Sequence, residues 1–76
     1  MKTQRETKLQ ELYNGVSERI RDRRLKKNMT QLDLAVAVGC TQDYISRIES
    51  GDINLTLEYF YKLSNSLGVT VGYFFK

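Results

Sequence analysis

The chain has no histidine and no proline, and among its 76 residues there is a single cysteine, Cys40. Each shortage excludes something. Without proline, no rigid linker is marked between parts of the chain. One cysteine cannot form an internal disulfide, so a reducing compartment is the default expectation. Without histidine, and with no cluster of metal-ligating residues or phosphate-binding glycine loop, an enzyme is not expected, and neither a metal nor a cofactor is foreseen. No run approaches the roughly 20 apolar residues that cross a bilayer, so no membrane is expected as a partner. The opening stretch, MKTQRETK, is polar and unlike a signal peptide. These absences together suggest a cytoplasmic protein.

What remains suits one small folded domain with a modest core: 41% hydrophobic and 28% charged residues. The net charge is +3 and the pI about 9.2, which permits nucleic acid as a partner without demanding it. The distribution is more informative. Arg19, Arg21, Arg23, Arg24, Lys26 and Lys27 crowd one stretch against a single acid, Asp22, whereas only Lys62 and Lys76 are basic beyond Gly51. A solvated helix face also looks like this.

Apolar residues recur at helical spacing through Leu9, Leu12, Tyr13, Val16, Ile20 and Leu25. They predict a first helix over about 8–27, loosened at Gly15 and ended by Asn28, a residue that tolerates the left-handed conformation. TQLD predicts a capped start, with Thr30 as N-cap and Asp33 three residues on. A second helix follows over 31–38, carrying Leu32, Leu34, Ala35 and Val38, and stops at Gly39. Thr41 caps a third helix, which runs to about Ser50 and ends at Gly51. DINL reads as a loop. Thr56 caps a fourth helix that buries Leu57, Phe60, Leu63 and Leu67 and stops at Gly68. VTVGYFFK is a last short helical segment, although VTV has strand character.

The stretch VGCTQDYISRIESG is odd for an ordinary helix, because its leading edge is polar and its anchors, Ile45 and Ile48, come late. A helix-turn-helix accounts for it. That motif needs two helices crossing steeply over a turn of about three or four residues, a small residue at the crossing and a glycine-like turn. Ala35 and Gly39 meet the last two demands. Leu34, Val38, Cys40, Ile45 and Ile48 supply the buried positions. Two ordinary packed helices would not call for this spacing.

From Ile20 to Phe75 the sequence resembles the Cro and phage-repressor (Xre-like) helix-turn-helix family, through MTQLDLA, VG, YISRIESG and LGVTVGYFF. The resemblance implies an all-α, compact five-helix domain over 16–76, with residues 1–15 as an N-terminal helical extension continuous with the first helix. It implies double-stranded DNA as partner, a third helix lying in the major groove, and dimers on palindromic operators. Leu55 departs from the family, which often has proline there, and the extension is a second departure. No small-molecule ligand is expected, since the chain leaves no room for an effector domain.

A groove-reading helix presents its first turns to base edges, so Gln42, Asp43, Tyr44, Ser46 and Arg47 are the base-reading candidates. Gln42 suits adenine and Arg47 guanine. Asp43 either accepts from a cytosine amino group or simply favours the helix N-terminus. Tyr44 either meets the backbone or a thymine methyl, or packs against the domain. Ser46 reaches a base edge or a phosphate. Phosphate candidates are Gln31, where a helix N-terminus favours an anion, with Thr41, Asn54, Arg21, Lys26 and Lys27; Thr41 and Asn54 also suit capping and turn roles. By the resemblance, Arg24 and Glu49 form a structural ion pair between the first and third helices. Three adjacent aromatics, Tyr73, Phe74 and Phe75, cannot all face one core, because neighbours on a helix differ by about 100°. They are the expected homodimer interface, aided by Leu9, Leu12 and Tyr13, unless they merely close a monomer's core. The competing functional reading is a helical protein-interaction module, or an antitoxin-like partner-binding protein, on the same fold.

Overall fold

Residues 4–52 and 55–75 are described by the computed structural model. The first helix, α1, spans Gln4–Lys26 without a break, so Gly15 does not loosen it and the extension is helical from Gln4. Asn28 then takes φ +55 and turns the chain. Helix α2 is Gln31–Val38, α3 is Gln42–Glu49 and α4 is Leu57–Leu67. The expected fifth helix is instead a single 3-10 segment, Val71–Phe75. No strand occurs among the described residues, so the fold is all-α with four α-helices.

The three short helices begin alike. Thr30, Thr41 and Thr56 have extended backbones, and each side chain accepts an N–H from the first turn, filling one of the bonds a helix start lacks. At Thr30 the box is complete: Asp33 Oδ2 accepts from the Thr30 N–H at 2.9 Å while Thr30 Oγ1 accepts from the Asp33 N–H at 3.0 Å. The Thr30 N–H, and after it the Thr30 hydroxyl, hold the Asp33 pKa below its usual value.

Between α2 and α3 lie only Gly39, Cys40 and Thr41. Gly39 has φ +89, and its N–H and that of Cys40 both donate to Ala35 O, at 2.8 and 2.9 Å. The chain therefore reverses within one turn. Ala35, 1% exposed, lets the helices close over it.

One core joins all the elements. Val16 and Ile20 come from α1, Leu34, Ala35 and Val38 from α2, Ile45 and Ile48 from α3, Leu63 and Leu67 from α4, and Phe74 from the 3-10 segment. Leu55, which stands where the resembled family often has proline, packs against this core. Three expectations need correcting. Phe74 is fully buried, so it cannot be a dimer contact; the tighter winding of the 3-10 segment turns it inward. Leu57 is 83% exposed rather than buried. Periodicity fixes the angular face of a helix but not how far along its axis the core reaches, and Leu57 is the first residue of α4, beyond the core. Cys40 is half-buried rather than buried; burial still raises its thiol pKa, partly offset by Lys62.

Candidate DNA-binding surface

Helix α3 has two unlike faces. Ile45 and Ile48 are in the core, while Gln42, Asp43, Ser46 and Arg47 are exposed. The apolar anchors sit three apart, on the inner face, so the polar residues between them are turned outward. Two shallow depressions lie on this outer side. Gln31 of α2 lines one together with Gln42, Asp43 and Ser46. Gln31 and Ser46 also line the other, with Arg21, Arg24, Glu49 and Ser50. The shared residues make one polar surface across the N-terminal end of α2, the outer face of α3 and a patch of α1.

Arg24 and Glu49 sit beneath that surface. Arg24 Nε donates to Glu49 Oε2 at 2.7 Å and Nη2 to Oε1 at 2.9 Å, a two-pronged pair. The third prong, Nη1, donates to Met29 O at 2.8 Å, just before α2. The two side chains are 9% and 4% exposed. The hydrogen bond and charge of Glu49 raise the Arg24 pKa despite opposing desolvation. One guanidinium thus ties α1, the α2 entry and α3 together. Deeper in, Ser17 Oγ donates to Ile48 O at 2.6 Å and fixes the end of α3 to α1. Gln31 joins the network, its Nε2 donating to Glu49 Oε1 at 3.3 Å.

Tyr44 differs from the other base-reading candidates. It is half-buried, and its ring meets that of Tyr59 edge-on, with centroids 5.2 Å apart. Burial, followed by the neighbours Tyr59 and Cys40, raises its phenol pKa. Its ring belongs largely to the α3–α4 packing. Thr41 is the cap of α3, with its hydroxyl accepting the Tyr44 N–H at 3.1 Å. Asn54 lies outside the described residues.

The basic run at the end of α1 does not stay together. Arg21 reaches the polar surface, and Arg24 is internal. Arg23 Nε donates to Leu67 O at 2.9 Å, and Lys27 Nζ lies beside Gly68. These last two serve the C-terminal end of α4, where unpaired carbonyls attract cations. Lys27 is exposed and is not among the residues that line the two depressions beside α3. Lys26 is exposed.

One participant, Asp52, was missed in the sequence. Arg47, toward the end of α3, directs Nε at Asp52 Oδ2, 3.3 Å away. The two residues meet because Gly51, with φ +89, folds the chain back. Nothing in the spacing of apolar residues signals that turn geometry.

A family profile described as helix-turn-helix matches residues 20–74. Comparison with curated protein sequences returned no match. Solved structures share the fold, three of them as follows. A hypothetical transcription factor from Neisseria, NHTF, is 26% identical with a TM-score of 0.81, over 86% of this chain and 75% of that one. The restriction-modification controller protein C.AhdI from Aeromonas hydrophila is 27% identical at 0.79, over 83% and 96%. The clp gene regulator ClgR from Corynebacterium glutamicum is 26% identical at 0.77, over 80% and 65%. The matched segment holds the α2–turn–α3 unit, its ion pair and its polar face, and by that match the chain belongs to the helix-turn-helix family.

Proposed function

We propose that this chain is a sequence-specific transcriptional regulator that reads double-stranded DNA by laying α3 in the major groove. The observation that carries the reading is the polar edge formed by half-buried Gln31 and exposed Gln42, Asp43 and Ser46, with the Arg24–Glu49 pair beneath it. Its side chains offer amide, hydroxyl and carboxylate groups, the chemistry that pairs with base edges. Gln42 and Arg47 read bases, with Asp43 and Ser46 beside them. Gln31, Arg21 and Lys26 hold phosphate, which sets the register of the helix on the duplex without specifying sequence. The chain is not an enzyme, in keeping with its family.

The functional form we propose is a homodimer on a palindromic operator, with recognition helices about 34 Å apart, one turn of DNA. The neighbours described as a transcription factor, a controller and a gene regulator support regulation of transcription. Repression or control is the expected mode.

Selection from a duplex pool randomised at every position tests the reading. The expected result is an enriched palindrome with half-sites one turn apart. Arg47→Ala is expected to relax one base position, at a cost of about 1–3 kcal/mol, the value of a lost bidentate contact. Gln31→Ala weakens binding to all sequences alike. A pool that shows no enrichment would overturn sequence-specific binding, and an equal loss on every duplex for Arg47→Ala would make Arg47 a phosphate ligand.

A further inference from the structure

We propose that Asp52 is a positioning residue for base recognition: it holds the Arg47 guanidinium so that its outer edge faces a guanine, and so sets the discrimination at that base pair. The inference rests on the DNA-reading function proposed above.

The geometry begins with the backbone. The Asp52 N–H donates to Arg47 O at 3.1 Å, so the residue that faces the arginine side chain is also fastened to its main chain. The turn between them is locked from a third side. Gln10 of α1 donates from Nε2 to Gly51 O at 3.3 Å and to Asn14 Oδ1 at 2.9 Å. Gly51 is buried, and a Cβ there would fall 2.6 Å from Asn14 Oδ1. The N-terminal extension thereby holds in place the turn that delivers the Asp52 carboxylate.

The bond to Asp52 is made by Nε, 3.3 Å from Oδ2. A guanidinium has five N–H donors in a fixed fork. Engaging Nε leaves the Nη1 and Nη2 edge to address the O6 and N7 acceptors of guanine. The side chains of Arg47 and Asp52 are 59% and 73% exposed, and an ion pair so open contributes little to folding. Docking changes its environment, because excluding water strengthens the attraction. A side chain already held in the reading orientation also loses less rotamer freedom on binding. Against this, a carboxylate close to phosphates repels DNA of any sequence. Asp52 therefore lowers affinity for all duplexes while sharpening preference for one base, which is how discrimination gains from a repulsive element.

The test compares the full-length protein with Asp52→Ala, Asp52→Asn, Arg47→Ala and the double variant, on the selected duplex, its single-base-pair variants and a random-sequence duplex. Asp52→Ala is expected to bind random duplex more tightly than the parent. Its preference at the Arg47 base pair is expected to fall about tenfold, the size of coupling seen between side chains in contact, with other positions unchanged. Asp52→Asn, which keeps the shape but not the charge, should fall between the two, and it decides the matter if Asp52→Ala melts early. In the Arg47→Ala background, removing Asp52 should no longer alter base preference. An unchanged or sharper preference at that position, or a loss spread over every position, overturns the proposal. A parent protein that selects no sequence, or an Arg47→Ala variant that selects the parent's sequence, overturns the underlying reading of α3 instead, and shows it without any Asp52 variant.

Discussion

Arg24 and Glu49 join α1 to α3 through a buried pair. Three of the arginine's donor atoms are engaged within 2.9 Å, and both side chains are almost wholly out of water. A buried pair of this kind is weak evidence of net stabilisation, but removing one member strands a charge. Glu49→Ala is expected to destabilise by about 3–5 kcal/mol, as for other broken buried pairs, measured by denaturant unfolding. An unchanged melting temperature with lost DNA binding would instead make Glu49 a DNA-facing residue. Asp33 acts by pH. Its folded pKa lies below the usual 3.8 because it accepts bonds at Thr30. A depressed carboxylate stabilises above its unfolded pKa, and that contribution fades as pH falls through the folded value. Acid unfolding of Asp33→Asn should therefore show a shallower loss of stability below about pH 4 than the parent. The pair and the capping box were both legible in sequence, because each is either local or tied to a known family pattern. The Arg47–Asp52 contact was not, because it depends on the path of the backbone through Gly51.

At the scale of the element, the turns separate two kinds of glycine. Gly39 has φ +89 with no atom near the place a Cβ would occupy, whereas Gly51, also at φ +89, has the Asn14 side chain there. Gly39→Ala should cost only the left-handed backbone penalty, about 1–2 kcal/mol. Gly51→Ala should cost more, since Asn14 must also move, and Asn14→Ala should recover the difference. Equal melting temperatures for the two glycine variants would show that the α1 contact at Gly51 is not held in solution. Helix α3 explains the polar edge that set it apart in the sequence. Its two isoleucines enter the core, Tyr44 packs on Tyr59 and Glu49 pairs with Arg24, which leaves Gln42, Asp43, Ser46 and Arg47 on the outer face.

For the whole molecule, the open question is assembly. With Phe74 in the core, the aromatic surface that remains includes Phe75, 48% exposed and 5.2 Å from the Phe60 ring, and Tyr61, 61% exposed. Aromatic residues are enriched where subunits meet. Sedimentation at micromolar concentration without DNA is expected to show a dimer that Phe75→Glu converts to a monomer of unchanged fold. A parent that sediments as a monomer would confine pairing to the DNA.

The sequence by itself determined the elements and the motif. Threonine caps, left-handed breakers and the spacing of apolar residues act within a few residues of one another, so α2, α3, α4 and the three-residue turn can be read directly from their order. The tertiary structure decided the rest. It sent Arg23 and Lys27 to the end of α4 and Arg21 to the polar face, although all three come from one basic run. It took Phe74 inside, set Tyr44 against Tyr59, left Leu57 in water and brought Asp52 to Arg47. Each outcome depends on where a distant element ends and how its axis crosses another. Those distances are fixed by packing of the common core, and no local pattern of residues encodes them.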